Sequence, residues 1–351
     1  MLRQIRLRTQ QNPSGGVRLG IGDDCALLRV RSGEEMAVTT DLSIEGRHFE
    51  LGWHPAESVG HRTLARGLSD LAAMGARPVA AFLSLGVPKA LTERTGGGRT
   101  ASSWVERFFD GLMALAAELN VPLAGGDLAE SKLAVADIVL IGAVPRGRAL
   151  LRSAARVGDR LFVTGTLGGA DVGLACLRQL AAAGTLNPRR IPKRFSATLA
   201  AHLYPQPRIG QGIALRGLAH GCMDMSDGLS TDLAHLCDES GVGAEVDAAA
   251  LPLAAGATLA DGLHGGDDYQ LLFTAAPRTR IPAAIAGVPV TQIGRIVARP
   301  AMAHSVDGVK TTLRMARRSS QQIPAQITPQ ITLIGPDGRT PLERQGWEHF
   351  S

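Results

Sequence analysis

Aspartates recur at glycine-marked positions along this chain of 351 residues. Asp23 and Asp24 follow Gly20-Ile21-Gly22, Asp41 closes the run MAVTTD, and Asp127 follows Gly125-Gly126. Asp224 and Asp227 stand in MDMSDG, and Asp267 and Asp268 follow Gly265-Gly266. Glycine permits close backbone approach and positive φ, and a carboxylate at a strand end projects into the crevice where α/β proteins hold ligands. Any one Gly-Asp pair is ordinary turn chemistry; five such sites point to a common task. Two carboxylates about 4 Å apart repel by roughly 4 kcal/mol at an effective dielectric of 20, so converging aspartates require cations. Oxygen donors without Cys or His select hard ions, most commonly Mg²⁺ shared with phosphate oxygens. Asp70 lies inside a helical segment with Gly67 and Met74 on its face; it either joins this set or is simply exposed on the helix side.

Other chemistries are excluded by what the chain lacks. The four cysteines, Cys25, Cys176, Cys222 and Cys237, form no CxxC pair, and the nine histidines show no HExxH spacing, which argues against a disulfide scaffold or a structural zinc site. No lysine sits in a GxxxxGK[ST] loop and no GxSxG elbow occurs. Gly165-Thr166-Leu167-Gly168-Gly169 follows a strand and opens a helix, yet misses the GxGxxG spacing of a dinucleotide fold. The formal charge is +5, but aromatics are only 4% and no basic run is interleaved with them, so nucleic acid is not expected as a partner. Only four of the 37 basic residues are lysine, an Arg-rich style that reads as codon bias. No apolar run approaches the roughly 20 residues of a membrane span, and the basic start MLRQIRLRTQQ lacks an apolar signal core. A cytoplasmic chain is the expectation.

The elements that must position the aspartates alternate in type. Short β-branched or apolar runs at 36–41, 78–87, 133–144, 159–165 and 269–275 read as strands. Apolar periodicity predicts helices at 56–74, 102–119, 170–182, 207–219 and 228–240. Residues 92–100 read as a loop and 315–331 as an irregular insertion. The length fits two domains, with a boundary in the polar, Arg-rich stretch 145–158.

Ten motifs in order, among them GIGDDCALL, TTDLSIEGRHF, LSDLAAMGARP, AGGDLAES, MDMSDGLSTDL, GGDDYQLLFT and GWEHF, resemble the thiamine-monophosphate kinases of the aminoimidazole-ribonucleotide-synthetase-like superfamily. The resemblance runs from Gly20 to the C-terminus. It implies a two-domain fold of that type, α/β and α+β: an N-terminal domain, 1–147, that binds ATP and magnesium and pairs its sheet with that of a second subunit, and a C-terminal α+β domain, 148–351. It also implies a homodimer that transfers the γ-phosphoryl group of ATP to thiamine monophosphate, the final step of thiamine diphosphate synthesis, with several Mg²⁺ ions. Carried over by position, Asp24, Thr39, Thr40, Asp41, Asp70, Asp127, Asp224 and Asp227 match magnesium ligands. Phe109, Gly126, Asp127, Arg152 and Ser226 match nucleotide contacts, and His48, Asp267 and Trp347 match the positions that hold thiamine.

The acceptor phosphate is already an anionic nucleophile, so no general base is assigned and no catalytic side chain is named. Arg152 would grip phosphate bidentately, and Trp347 would stack on a thiamine ring or pack the tail onto the domain. Two departures from the family pattern stand out. The segment before GIGDD is short of a complete helix, and Asp267 stands where many relatives have Glu. Another ATP-dependent synthetase of the superfamily, or a nucleotide- and magnesium-binding homologue without turnover, are the alternatives.

Overall fold

The computed structural model describes residues 16–21, 25–96, 101–189, 191, 193–299 and 331–346. The first part of the chain carries β1 (Val17–Leu19), β2 (Leu27–Leu28), β3 (Glu34–Ile44), α1 (Ala56–Ala73), β4 (Arg77–Val87), α2 (Trp104–Glu118), β5 (Leu123–Glu130) and β6 (Val135–Pro145). β3, β6, β4 and β5 form one sheet in that order, antiparallel except for the β4–β5 pair. The β1–β2 hairpin packs on its outer face through Val17 and Leu28 against Val79, Ala80 and Ala124.

The rest of the chain carries β7 (Arg160–Thr164), α3 (Gly169–Ala182), α4 (Ser196–Leu203), α5 (Ile209–Leu215), β8 (Cys222–Asp224), α6 (Leu229–Ser240), β9 (Val242–Asp247) and α7 (Leu259–His264). It continues with β10 (Leu271–Ala275), β11 (Ala284–Ile285), β12 (Val288–Ala298), β13 (Ile331–Gly335) and β14 (Gly338–Pro341). These strands make a second sheet in the order β14-β13-β9-β12-β7-β10-β8, with β11 paired to β12. No helix among the described residues is long and apolar enough to cross a membrane.

The five expected strands and five expected helices are present, with ends shifted by a few residues; the helix expected over 207–219 is shorter, ending at Leu215. The other strands go beyond the expectation: β1, β2, β8 and β11 are only two or three residues long, glycines and charges in β5, β9 and β12 hide the alternation that marks a strand, and β13 and β14 lie near the C-terminal end. Residues 315–330 lie outside the described residues, and Ile331 opens β13, which pairs parallel with β9, so the stretch expected to be irregular ends in a strand.

Helix α1 ties the two parts together. It packs on α2 and the first sheet, and it also meets α5 and β8. Leu64, Leu68 and Leu71 are fully buried on its core side. Its approach to α2 is set by two glycines: a Cβ on Gly60 would lie 1.9 Å from the Phe108 carbonyl oxygen, and one on Gly111 would lie 1.8 Å from that of Glu57. α2 begins with a capping box, in which the Ser103 side chain accepts from the Glu106 N–H and the Glu106 side chain accepts from the Ser103 N–H.

Gly60→Ala should therefore force the two helices apart and lower unfolding stability by about 1–3 kcal/mol, whereas Gly52→Ala, with nothing within 4 Å of the added carbon, should be nearly neutral. Urea denaturation of both variants checks this; equal stabilities would refute the close crossing.

Candidate functional site

Alternation along β3 decides which side chains can meet. Thr39 and Asp41 point toward α1, while Thr40 points to the opposite, outer face. The Thr39 hydroxyl donates to Asp70 Oδ2 at 2.5 Å, and Arg66 Nη2 pairs with Asp41 Oδ1 at 2.8 Å. From the second sheet, β8 ends at Asp224, and the turn leading into α6 supplies Ser226 and Asp227. Between α7 and β10, the segment GGDDY brings in Asp267. These groups line one cavity of about 850 Å³ between the two sheets, shared by Asp41, Asp70, Asp224, Ser226, Asp227 and Asp267; His48, from the loop after β3, lines it as well.

The acids at this cavity are held under electrostatic load. Asp224 is 4% exposed; burial and then the neighbouring Asp70 charge push its carboxyl up to about 7. Burial also raises Asp70, with Asp41 adding to it against the Thr39 hydroxyl, Arg152 and Arg66. Asp232, on α6, accepts from the Asp227 N–H at 3.1 Å, and burial with the Asp227 charge raises it well above the carboxylate range. Asp267 goes the other way. Burial would raise it, but Arg62 and Arg66 outweigh that cost and keep it well below the usual value. Arg62 Nη2 donates to Asp267 Oδ2 at 2.8 Å, and the Tyr269 hydroxyl donates to Oδ1 at 2.7 Å. Asp267 and Tyr269 both sit at positive φ, 64° and 49°, so this short segment is bent to aim its side chains.

Asp268, the second acid of the same segment, has a different task. Its carboxylate accepts from the N–H groups of Gly168 and Ala170, at 2.5 and 3.1 Å. It thus fills the positive end of α3 that the glycine-rich loop leaves open, and burial pushes it up to about 6. That end of the helix is already satisfied by the protein itself.

The sequence-matched residues are not all brought to the cavity. Thr40 Oγ1 donates to Asp137 Oδ1 at 2.8 Å on the outer face. Asp127, Ser84, Asp137 and Leu42 form one rung across the sheet, and Asp127 is exposed on that face, its Oδ1 accepting from the Leu128 N–H at 2.8 Å. Gly126 has a backbone reason of its own: φ is +145°, and a Cβ would lie 1.9 Å from the Leu83 carbonyl oxygen. Phe109 is buried in the core, 4% exposed, with its ring edge-on to Phe108. Arg152 is exposed on a short 3-10 turn and acts on Asp70 and Asp224 through its charge. Asp24 and Trp347 lie outside the described residues.

The residues that sequence reasoning missed are basic. Arg62 and Arg66 line up with Asp70 at intervals of four on α1, the spacing that places side chains on one helix face, and that spacing was visible in the sequence. Trp53, His54 and His202 also face the cavity; His54 Nε2 and His202 Nε2 are 3.0 Å apart, and burial, then Arg62, drives both imidazoles toward the neutral form. Nothing in their sequence spacing of 148 residues announces that pair.

Among the described residues, no three His, Cys, Asp or Glu side chains are arranged to hold a metal ion on their own. The donor set nevertheless fits a hard cation: all-oxygen, with half-buried Asp70 and buried Asp224 close enough for the first charge to raise the second.

Comparison with known proteins gives a consistent answer. Residues 22–148 match the AIR synthase related protein N-terminal domain and residues 156–307 the corresponding C-terminal domain. The thiamine-monophosphate kinase of Escherichia coli K12 is 39% identical over 295 residues, covering 80% of this chain and 85% of that protein. The crystal structure of thiamine-monophosphate kinase from Stenotrophomonas maltophilia superposes with a TM-score of 0.72 at 38% identity, covering 84% of this chain and 92% of that one. The structure of AaThiL complexed with AMPPCP and TMP superposes with a TM-score of 0.65 at 30% identity, covering 85% and 90%. With two matching domains and this identity over most of both chains, the protein belongs to the thiamine-monophosphate kinase family.

Proposed function

We propose that this chain transfers the γ-phosphoryl group of ATP to thiamine monophosphate, giving thiamine diphosphate and ADP. The observation that carries the reading is the convergence of Asp41, Asp70, Asp224 and Asp227, drawn from both sheets, on one cavity with His48 and Asp267, in a chain 39% identical to a thiamine-monophosphate kinase. In the reaction a phosphate oxygen of thiamine monophosphate bonds to the γ-phosphorus as the bond to the β,γ-bridging oxygen breaks. The nucleophile is already deprotonated, so no protein group needs to take a proton, and alignment with charge neutralisation is the whole demand.

Asp41, Asp70, Asp224 and Asp227 would hold Mg²⁺ in the cavity, with Thr39 hydrogen-bonded beside them and Asp24 joining from outside the described residues. Bound magnesium would neutralise the phosphate oxygens of both substrates. His48 and Asp267 are assigned to thiamine, together with Trp347. Ser226, Arg152, Gly126 and Phe109 are assigned to the nucleotide side, and Thr40 and Asp127 to metal and nucleotide on the outer face. We read residues 1–147 and 148–351 as the two domains, and the enzyme as a cytoplasmic homodimer. The dimer reading rests on the edge strand β3, whose outer face exposes Met36, Val38 and Leu42, with Val38 62% exposed.

The direct test supplies purified protein with ATP, MgCl₂ and thiamine monophosphate and follows thiamine diphosphate. Product from the monophosphate, none from thiamine and none without metal is expected; a folded protein that makes no product would overturn the reading. Asp224→Asn should lower turnover by about 10²-fold or more while leaving the fold intact, and wild-type rates in that variant would remove Asp224 from the site.

Titration gives a second handle. Asp224 is raised from 3.8 to about 7 in the folded state, so the native protein binds a proton there that the unfolded chain has released. Its stabilising effect is complete below about pH 4 and is lost as pH rises through about 7. The Tm of the metal-free protein should fall across that window, Mg²⁺ should restore it most at the alkaline end, and Asp224→Asn should flatten both trends in a thermal-shift series. A Val38→Lys variant should elute as a monomer where the wild type elutes as a dimer in light-scattering chromatography; two identical masses would discard β3 as the pairing face.

A further inference from the structure

Arg62 is 4% exposed, and a buried guanidinium is costly unless its fork is fully engaged. Here it is. Nη1 donates to the His202 carbonyl at 2.5 Å and lies 3.2 Å from His202 Nδ1, while Nη2 donates to Asp267 Oδ2 at 2.8 Å and reaches the His48 carbonyl at 3.5 Å. One planar group therefore touches three segments distant in sequence: the loop after β3, the C-terminal end of α4 and the bent GGDDY turn. Two of these, at His48 and Asp267, are the positions assigned above to thiamine.

We propose that Arg62 is a positioning residue for the thiamine end of the cavity, fixing the Asp267 carboxylate and the His48 loop relative to each other. The inference rests on the kinase reading and deepens it. Asp267 is bound on one oxygen by Arg62 and on the other by Tyr269, so its rotation is locked, and the lone pairs left on a carboxylate with two donors remain available to a ligand in the cavity. The neighbouring His54–His202 pair is 3.0 Å apart and buried, so of the two facing nitrogens one donates and the other accepts. Arg62 thus spends its charge on the one carboxylate that faces the organic substrate. Arg66, one turn further along α1, does the same for Asp41 at the phosphate end. Lysine could supply the charge at position 62 but not the planar fork that reaches carboxylate and carbonyls together.

The test is steady-state kinetics of the full-length protein, with the wild type as reference in the same assay. Arg62→Gln should raise KM for thiamine monophosphate by roughly ten- to a hundred-fold with KM for ATP within about twofold, and Arg62→Lys should fall between it and the wild type. In the Arg62→Gln/Asp267→Asn double variant the second change should add little, because both remove one interaction. Tyr269→Phe, which keeps the ring and removes only the hydroxyl from Asp267, should shift the same KM in the same direction by a few-fold; it decides the matter if Arg62→Gln does not fold. A Tyr269→Phe variant with unchanged KM, equal shifts in both KM values for Arg62→Gln, or additive effects in the double variant would overturn the positioning role alone. A wild type that forms no thiamine diphosphate would overturn the kinase reading and this inference with it.

Discussion

Like charge gathered in a buried place is the constraint on which the rest of this molecule turns. Asp70 and Asp224 come from different sheets' neighbourhoods, and burial raises both, with Asp41 adding to the rise of Asp70 and Asp70 to that of Asp224. A fold that places acids this way works against its own stability unless something positive completes it. Part of the completion is internal: Arg66 answers Asp41, Arg62 answers Asp267, and helix α3 answers Asp268. The Asp70–Asp224 pair receives the Thr39 hydroxyl on Asp70, local hydrogen bonds on Asp224 and the more distant charge of Arg152. Of the acids assigned to magnesium, Asp41 is thus answered by an arginine, while burial still raises both Asp70 and Asp224. Division of labour among similar carboxylates is thus written in their partners.

Helix α1 is the part that makes the arrangement precise. It carries Arg62, Arg66 and Asp70 at intervals of four, so one stripe of it presents two cations and one anion in fixed register, with Arg66 and Asp70 at the cavity. The opposite side is locked by leucines and by the close crossing at Gly60 and Gly111. A shift of α1 along its axis would carry all three polar groups together past β3 and the GGDDY turn. Rigid packing on one side and charge pairing on the other are therefore a single device, which is the way active-site groups are best held.

Much of this was legible in the sequence, and the misses have physical reasons. The long apolar strands and amphipathic helices announce themselves by period; β9 and β12 do not, because glycine and charged residues interrupt the alternation. The recurrence of aspartate at glycine-marked strand ends identified Asp41, Asp224, Asp227 and Asp267, which do share a cavity, and helical Asp70, whose place the sequence left open, lines it with them. It could not separate Asp267 from Asp268, adjacent in sequence yet pointed at a ligand cavity and a helix end respectively. Period-two alternation alone puts Thr40 on the face opposite Thr39 and Asp41, a distinction that motif matching passed over. Arg62 was overlooked because a basic residue on a helix is usually solvated, and only burial reveals that its charge is committed.

Calorimetric titration of Mg²⁺ into the metal-free protein near pH 7, repeated in two buffers of different ionisation enthalpy, counts the protons released on binding. Relief of the buried carboxylate repulsion by the cation predicts net proton release that shrinks toward pH 8.5 and is reduced in the Asp224→Asn protein. Magnesium binding with no proton release, or with the same release when Asp224 is replaced, would contradict the claim that this charge constraint organises the site.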